Sequence, residues 1–390
     1  MKKRDIFYCV AADILGIAIV PINLFLFSIP EYSTIIISVL IIAAMVCFFI
    51  KHKGRAVSKT ILSILAVVCV MFTLFGAYCN PYWNSLLFKD YEYALESGET
   101  LSLQQAKADL DYVRHYLQKD HPLYIDGMPE EMRQAFDRAA DELGSSGAIT
   151  VSSLEKTIQG VLAPLDDAHT ACWRYEEVAA AGESGGTAPQ SFVYYEIDAD
   201  KNLAVLTLHN CWFNEEYRDC LQAMFTEVKE AGIDNVAVDL RNNGGGSSLV
   251  ATEFIKYLDT ETYKTGTYEW RFGMFMLPSG DGIVRNEKNN DLLFTGSVYV
   301  LTSPETFSSA MLFAQYIKDN HLGIIVGEAS GQTASHYGEV ASFTLPNSKL
   351  VFGVSTKYMW RADKESEDAF VSPDIPCDAE SALDVLEAYV

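Results

Sequence analysis

Val236-Ala-Val-Asp-Leu-Arg-Asn-Asn-Gly-Gly-Gly-Ser-Ser248 reads as a buried strand that ends in Asp239-Leu-Arg and passes through three glycines into a helix. Glycines at such a junction let the backbone approach a ligand closely and aim its N–H groups outward. The loop has no Walker lysine and no G-x-G-x-x-G spacing, so phosphate cradling is poorly supported. A second junction of the same kind is Val298-Tyr-Val-Leu-Thr-Ser-Pro-Glu-Thr-Phe-Ser-Ser-Ala310. It puts Ser308 at the start of a helix, where unbonded N–H groups and the helix dipole favour a negative oxygen, as an acyl-transfer nucleophile requires. On this segment alone, Ser308 and Ser309 read equally well as helix caps.

Around these junctions, strand-like runs recur at Phe192–Ile197, Leu203–His209, Gly323–Val326 and Val351–Tyr358. Helical stretches fall between strands at Asn214–Ala231, Ser247–Leu258 and Phe307–Asp319. Strands alternating with helices predict an α/β core with a largely parallel sheet. Upstream, helical periodicity behind a Ser102 cap covers Leu103–Lys119, and Pro129–Leu143 and Ser152–Leu165 add two more helices. The Ala-, Gly-, Glu- and Ser-rich stretch Glu176–Gln190 reads as a loop.

The first 80 residues differ in character. Ile6–Ser28, Ser33–Ile50 and Ile61–Cys79 are apolar runs near the roughly 20 residues that a membrane-crossing helix needs. Basic residues cluster at Lys2–Arg4 and Lys51–Lys59, on one side of the bilayer after two crossings, and the positive-inside rule makes that side cytoplasmic. The third span then delivers everything after Cys79 to the outer side. The expected organisation is a membrane anchor over 1–80 (spans at about 6–28, 33–50 and 61–79), a juxtamembrane segment and helical subdomain over 81–175, and a catalytic core over 176–390. After position 80 the chain holds 22 basic and 49 acidic residues, a net charge of −27. So acidic a surface repels nucleic acid, which is set aside as a partner. No CxxC pair or Cys/His spacing suits zinc, and no metal or organic cofactor is expected. A Cys211–Cys220 disulfide is left open.

A nucleophilic serine at neutral pH needs a base. Leu165-Asp-Asp-Ala-His-Thr170 offers His169 in a polar turn, with His121, His209 and His336 as rivals.

Together these segments resemble the S41 peptidases, the tail-specific and tricorn-type serine proteases. Asp239-Leu-Arg-Asn-Asn-Gly-Gly-Gly246 is similar to their D-L-R-x-N-x-G-G segment, and Thr306-Phe-Ser-Ser-Ala310 to their nucleophile segment. Asp166-Asp-Ala-His-Thr170 resembles the D-G-H-T turn of the tricorn-like branch, and His121-Pro122 the family's N-terminal region. Glu367–Ile375 resembles the E-N-x-G-V-x-P-D segment. The resemblance covers roughly 100 to 385. It implies a crotonase-like (ClpP/crotonase-type) α/β core with a small helical subdomain alongside. It also implies roles: Ser308 as nucleophile, His169 as base, Glu367 as electrostatic support, and the N–H groups of Ser309 and of Gly245 or Gly246 as the oxyanion hole. The substrate would be an extracytoplasmic protein or peptide. The lysine of the tail-specific dyad is missing from Gly327-Glu-Ala-Ser-Gly-Gln-Thr-Ala334, where Thr333 or Gln332 takes its place, so a histidine base is favoured. Met311 stands where many relatives carry an acid, and the stretch around 176–190 is too short for a PDZ module. The competing reading is an inactive relative that binds peptides or small ligands in the same cleft.

Overall fold

The computed structural model describes residues 95–145, 147–174, 191–273 and 275–390, together with 64, 67, 68 and 71. Among these no helix is long and apolar enough to cross a membrane. The spans expected over 6–28 and 33–50, most of the one over 61–79, and the loop over 176–190 lie outside the described residues.

The helical part comprises α1 (Leu103–Asp120), α2 (Glu130–Ser145) and α3 (Val151–Leu162). Ser102 caps α1 through a full capping box: its side chain accepts from the Gln105 N–H, and the Gln105 side chain accepts from the Ser102 N–H. Leu110, Leu117, Phe136, Leu154 and Ile158 form the buried face these helices share. After α3 the chain passes through a 3₁₀ turn and enters β1 (Ala171–Trp173).

The main sheet begins with β2 (Val193–Asp198) and β3 (Leu203–Leu208), continues through α4 (Glu215–Ala231) to β4 (Asn235–Asp239), and is followed by α5 (Leu249–Ile255). A hairpin of β5 (Thr267–Phe272) and β6 (Phe275–Pro278) comes next. Then β7 (Ser297–Thr302), α6 (Ser309–Asp319) and β8 (Ile324–Gly327) extend the main sheet. β9 (His336–Thr344) and β10 (Val351–Trp360) pair antiparallel, and β11 (Ile375–Pro376) and α7 (Ala382–Tyr389) close the chain.

Six strands form the main sheet in the order β11-β8-β7-β4-β3-β2, parallel throughout except for β2 against β3. Its central strands are covered on both faces, as parallel strands with helical crossovers must be. In β4, Val236 and Val238 face the core shared with α4, α5 and α6, while Ala237 faces the core under α7. β7 alternates in the same way, with Val298 and Val300 on one side and Tyr299 and Leu301 on the other.

Val351–Tyr358 does not belong to this sheet. It lies within β10, at the centre of a second, antiparallel sheet with β9, β5, β6 and β1. Phe343 of β9 and Phe352 of β10 pack into the helical cluster. The joint is also polar: buried Asp109 of α1 accepts hydrogen bonds from the N–H groups of Asn347 and Ser348 and from Asn347 Nδ2. The helices thus rest on the second sheet, and β1 stitches the turn carrying His169 onto β10.

Candidate active site

β4 and β7 are parallel neighbours, so the loops leaving their C-terminal ends emerge side by side, the usual place for a ligand in an open α/β sheet. The two loops are laced together. Thr306 Oγ1 donates to the Leu240 carbonyl (2.9 Å), the Phe307 N–H to the Asn243 carbonyl (3.0 Å), and the Ser303 hydroxyl to the Arg241 carbonyl. A third loop joins through Cys211, whose N–H donates to the Gly245 carbonyl and whose carbonyl accepts from the Ser247 N–H. Cys211 and Cys220 are both free thiols.

Ser308 precedes α6 with φ 53 and ψ −123, and its side chain makes no capping bond. A non-glycine residue at positive φ costs on the order of 1–3 kcal/mol and persists only where its surroundings enforce it. Gly245, itself at φ 103, is part of that enforcement: a Cβ there would stand 2.7 Å from Ser308 Cβ and 2.9 Å from Ser309 N. Glycine is therefore required for the loop to close against the serine.

His169 reaches Ser308 from 139 positions upstream. Its Nε2 lies 3.0 Å from Ser308 Oγ. The turn that carries it is built around Asp167. Asp166 adopts the left-handed conformation at φ 51, Asp167 Oδ1 accepts the His169 N–H (3.0 Å), and Oδ2 accepts from the Thr170 hydroxyl (2.6 Å). Thr170 Oγ1 in turn accepts the Ser355 N–H of β10 (3.0 Å). Asp167 is almost wholly buried. Burial alone would raise its carboxyl, but hydrogen bonds from His121 and Thr170 outweigh that and bring it down to about 2. It therefore sits as a carboxylate 4.0 Å from His169 Nδ1.

Two further groups contact the imidazole. Gln332, on the segment after β8, accepts the Ser308 N–H at Oε1 (2.9 Å), and its Nε2 lies 3.2 Å from His169 Nδ1. His336 stacks beside His169 with ring centroids 6.0 Å apart; it is buried, and its Nε2 has no hydrogen-bond partner among the described residues. Burial pushes His336 down to about 4. His169 is lowered too, mainly by burial, against the Asp167 charge and the Tyr337 backbone, which pull it up. A cavity of about 840 Å³ opens next to this cluster, lined by the aromatic residues Tyr337, Tyr358 and Trp360 and by the charged residues Arg361, Asp363 and Lys364.

The structure brings Ser308, His169, Ser309, Gly245 and Gly246 together, but not Glu367. That residue is exposed and makes no hydrogen bond or ion pair with His169 among the described residues. The acid beside the imidazole is Asp167 instead, because the Asx turn folds it back under the histidine. Gly245 also departs from expectation as an N–H donor: its N–H is already committed to Asn243 Oδ1 (2.8 Å). Gly246 donates its N–H to no group among the described residues, and Ser309 opens α6, where an N–H has no partner within the helix. The Ser309 hydroxyl donates to the Gly246 carbonyl (2.9 Å). Met311 is fully buried in the core, which accounts for an apolar residue there. Of the rival histidines, His121 donates to Asp167 through Nε2 (3.2 Å), and His209 lies against Tyr194. Asp167 was visible in the quoted turn as an acid two residues before the histidine; Gln332 was visible only as the absence of a lysine. Among the described residues no cluster of three or more His, Cys, Asp or Glu side chains is arranged for a metal.

The profile of peptidase family S41 matches residues 202–377, a stretch that includes the glycine loop and Ser308 but not His169. A chloroplastic C-terminal processing peptidase of Tetradesmus obliquus is 24% identical over 208 residues, 52% of this chain. The chain spans only 39% of that relative's length. Similar solved structures include one from Parabacteroides merdae, 17% identical, covering 70% of this chain and 90% of the other with a TM-score of 0.52. Mature CPAF in complex with lactacystin is 12% identical over 74% of this chain and 98% of its own, also with a TM-score of 0.52. At these identities the structural likeness establishes the mixed α/β fold alone.

Proposed function

We propose that this chain is a serine peptidase in which Ser308 attacks the scissile carbonyl and His169 accepts its proton, later passing it to the leaving amine. The observation that carries this reading is the 3.0 Å approach of His169 Nε2 to Ser308 Oγ. Nucleophile and base within hydrogen-bond reach at the head of a helix is the arrangement acyl transfer needs. The oxyanion would be met by the N–H groups of Ser309 and Gly246, Gly245 serving to let the loop come close. Asp167 would stabilise the imidazolium across 4.0 Å. The cavity beside the pair, with its mixed aromatic and charged lining, suits a stretch of a peptide or unfolded protein. The C-terminal processing activity named for the Tetradesmus relative is one form such cleavage could take.

We further propose that the active part faces the outer side of a membrane, held by the three apolar runs within residues 1–80. The basic clusters at Lys2–Arg4 and Lys51–Lys59 support that orientation.

The test is to treat the full-length protein with a fluorophosphonate probe and map the modified residue. Adduct at Ser308, lost in His169→Ala, is the expected result. Absence of labelling, with binding of peptides retained, would leave the inactive peptide-binding reading.

A further inference from the structure

Among the described residues, Gln332 is the one side chain hydrogen-bonded both to Ser308 and to His169. Its contact with Ser308 fixes its orientation, because a backbone N–H can only donate: the atom facing Ser308 N at 2.9 Å is the amide oxygen. The amide nitrogen is then the atom 3.2 Å from His169 Nδ1, and it has only hydrogens to offer. A neutral imidazole that accepts at Nδ1 carries its proton on Nε2. In this arrangement Nε2 donates to Ser308 Oγ at 3.0 Å and has no lone pair with which to take the serine proton. The same Gln332 oxygen also occupies the Ser308 N–H.

We propose that Gln332 is a positioning residue that locks the site in a resting state, holding His169 in the tautomer protonated at Nε2 until the Gln332 amide is displaced. This rests on the peptidase reading of the same site. An alternative partner for an Nδ1 proton stands nearby, Asp167 Oδ1 at 4.0 Å. Once the amide swings away, a small ring rotation lets the proton sit on Nδ1, and Nε2 becomes the base. Gln332 is itself buried, yet its segment lines the cavity with Gly331 and Thr333, so an occupant of the cavity can reach it. A peptide that competes for the Ser308 N–H would remove the lock at the moment the site is filled.

The first measurement leaves Gln332 unchanged. Histidine ring ¹⁵N spectra of the full-length protein near neutral pH, with His169→Gln supplying the assignment, are expected to show His169 Nδ1 as the unprotonated nitrogen and Nε2 as the protonated one. The reverse pattern overturns the proposal. In Gln332→Glu a carboxylate can still accept the Ser308 N–H and can also accept from Nδ1, so the two nitrogens should exchange character. Fluorophosphonate labelling should then accelerate by at least about tenfold, since an amide in place of the carboxylate behind a triad histidine costs ~10⁴ in kcat through the wrong tautomer. A tautomer change with unaltered labelling of Ser308 would overturn the lock as a control on reactivity. The expected tautomers with no labelling of any variant would leave the lock standing and remove the peptidase reading.

Discussion

The Ser309 hydroxyl donates to the Gly246 carbonyl at 2.9 Å, so the two adjacent serines are chemically distinct: Ser308 meets His169, and Ser309 ties α6 to the glycine loop. Ser308→Ala is expected to abolish peptide turnover, a loss of several orders of magnitude, with the thermal midpoint within a few degrees of wild type. Ser309→Ala keeps its backbone N–H but frees the Gly246 peptide. Deleting one oxyanion donor costs ~10²–10³ in kcat, and loosening one should cost less than about 10². Turnover of a fluorogenic peptide by both variants checks this. Loss confined to Ser309→Ala would move the nucleophile by one residue.

The acid limb of the rate profile should have its midpoint below the ordinary histidine value. Burial is the largest influence on His169 and holds its pKa under the ordinary value, so the neutral imidazole survives to lower pH than in a free histidine. A profile of kcat/KM against pH is expected to show its acid-limb midpoint below 6.5. A midpoint above 7 would mean that the Asp167 charge dominates over burial.

Stability should decline over a neighbouring range. His336 titrates at about 4 in the folded chain and near 6.5 when unfolded, so between these values the unfolded chain binds the proton first. The contribution is fully present above 6.5 and lost as pH falls toward 4; it amounts to on the order of 3 kcal/mol. Asp167, lowered from 3.8 to about 2, adds a second loss below that window as pH falls through its folded pKa. Unfolding midpoints at pH 7 and 4.5 should differ clearly in wild type and much less in His336→Gln. An equal difference in both would assign the effect elsewhere.

Glu367→Ala should leave turnover within about twofold, because an exposed group without contact to the imidazole contributes little through solvent. Asp167→Asn should lower both kcat and the thermal midpoint, since it removes a buried charge to which His121 and Thr170 donate. Kinetics and melting of the two variants side by side test the assignment; a loss greater than about tenfold in Glu367→Ala would restore that residue to the site.

On intact cells, a membrane-impermeant thiol reagent is expected to label a cysteine engineered at positions 178–188 and to spare one at 52–58. The reverse pattern would invert the proposed orientation.

Local sequence was enough for the elements and for half of the site. Strong patterns, such as the valines of β4 and β7 and the capped face of α1, specify structure within a few residues, because burial and capping act over a single turn or pleat. The two glycine- and serine-bearing junctions were legible for the same reason. The partners of His169 were not. Whether Asp167 or Glu367 stands behind the imidazole, and whether Gln332 or Thr333 fills the lysine's place, depends on how the turn at 165–170 is pinned through Thr170 to β10, and on where the segment after β8 crosses Ser308. Those contacts join residues far apart along the chain, and their geometry exists only once two sheets have packed together. The same holds for the second sheet itself: the period of Val351–Tyr358 marks it as a strand, but which neighbours it takes is set by pairing between distant segments, which no single stretch of sequence encodes.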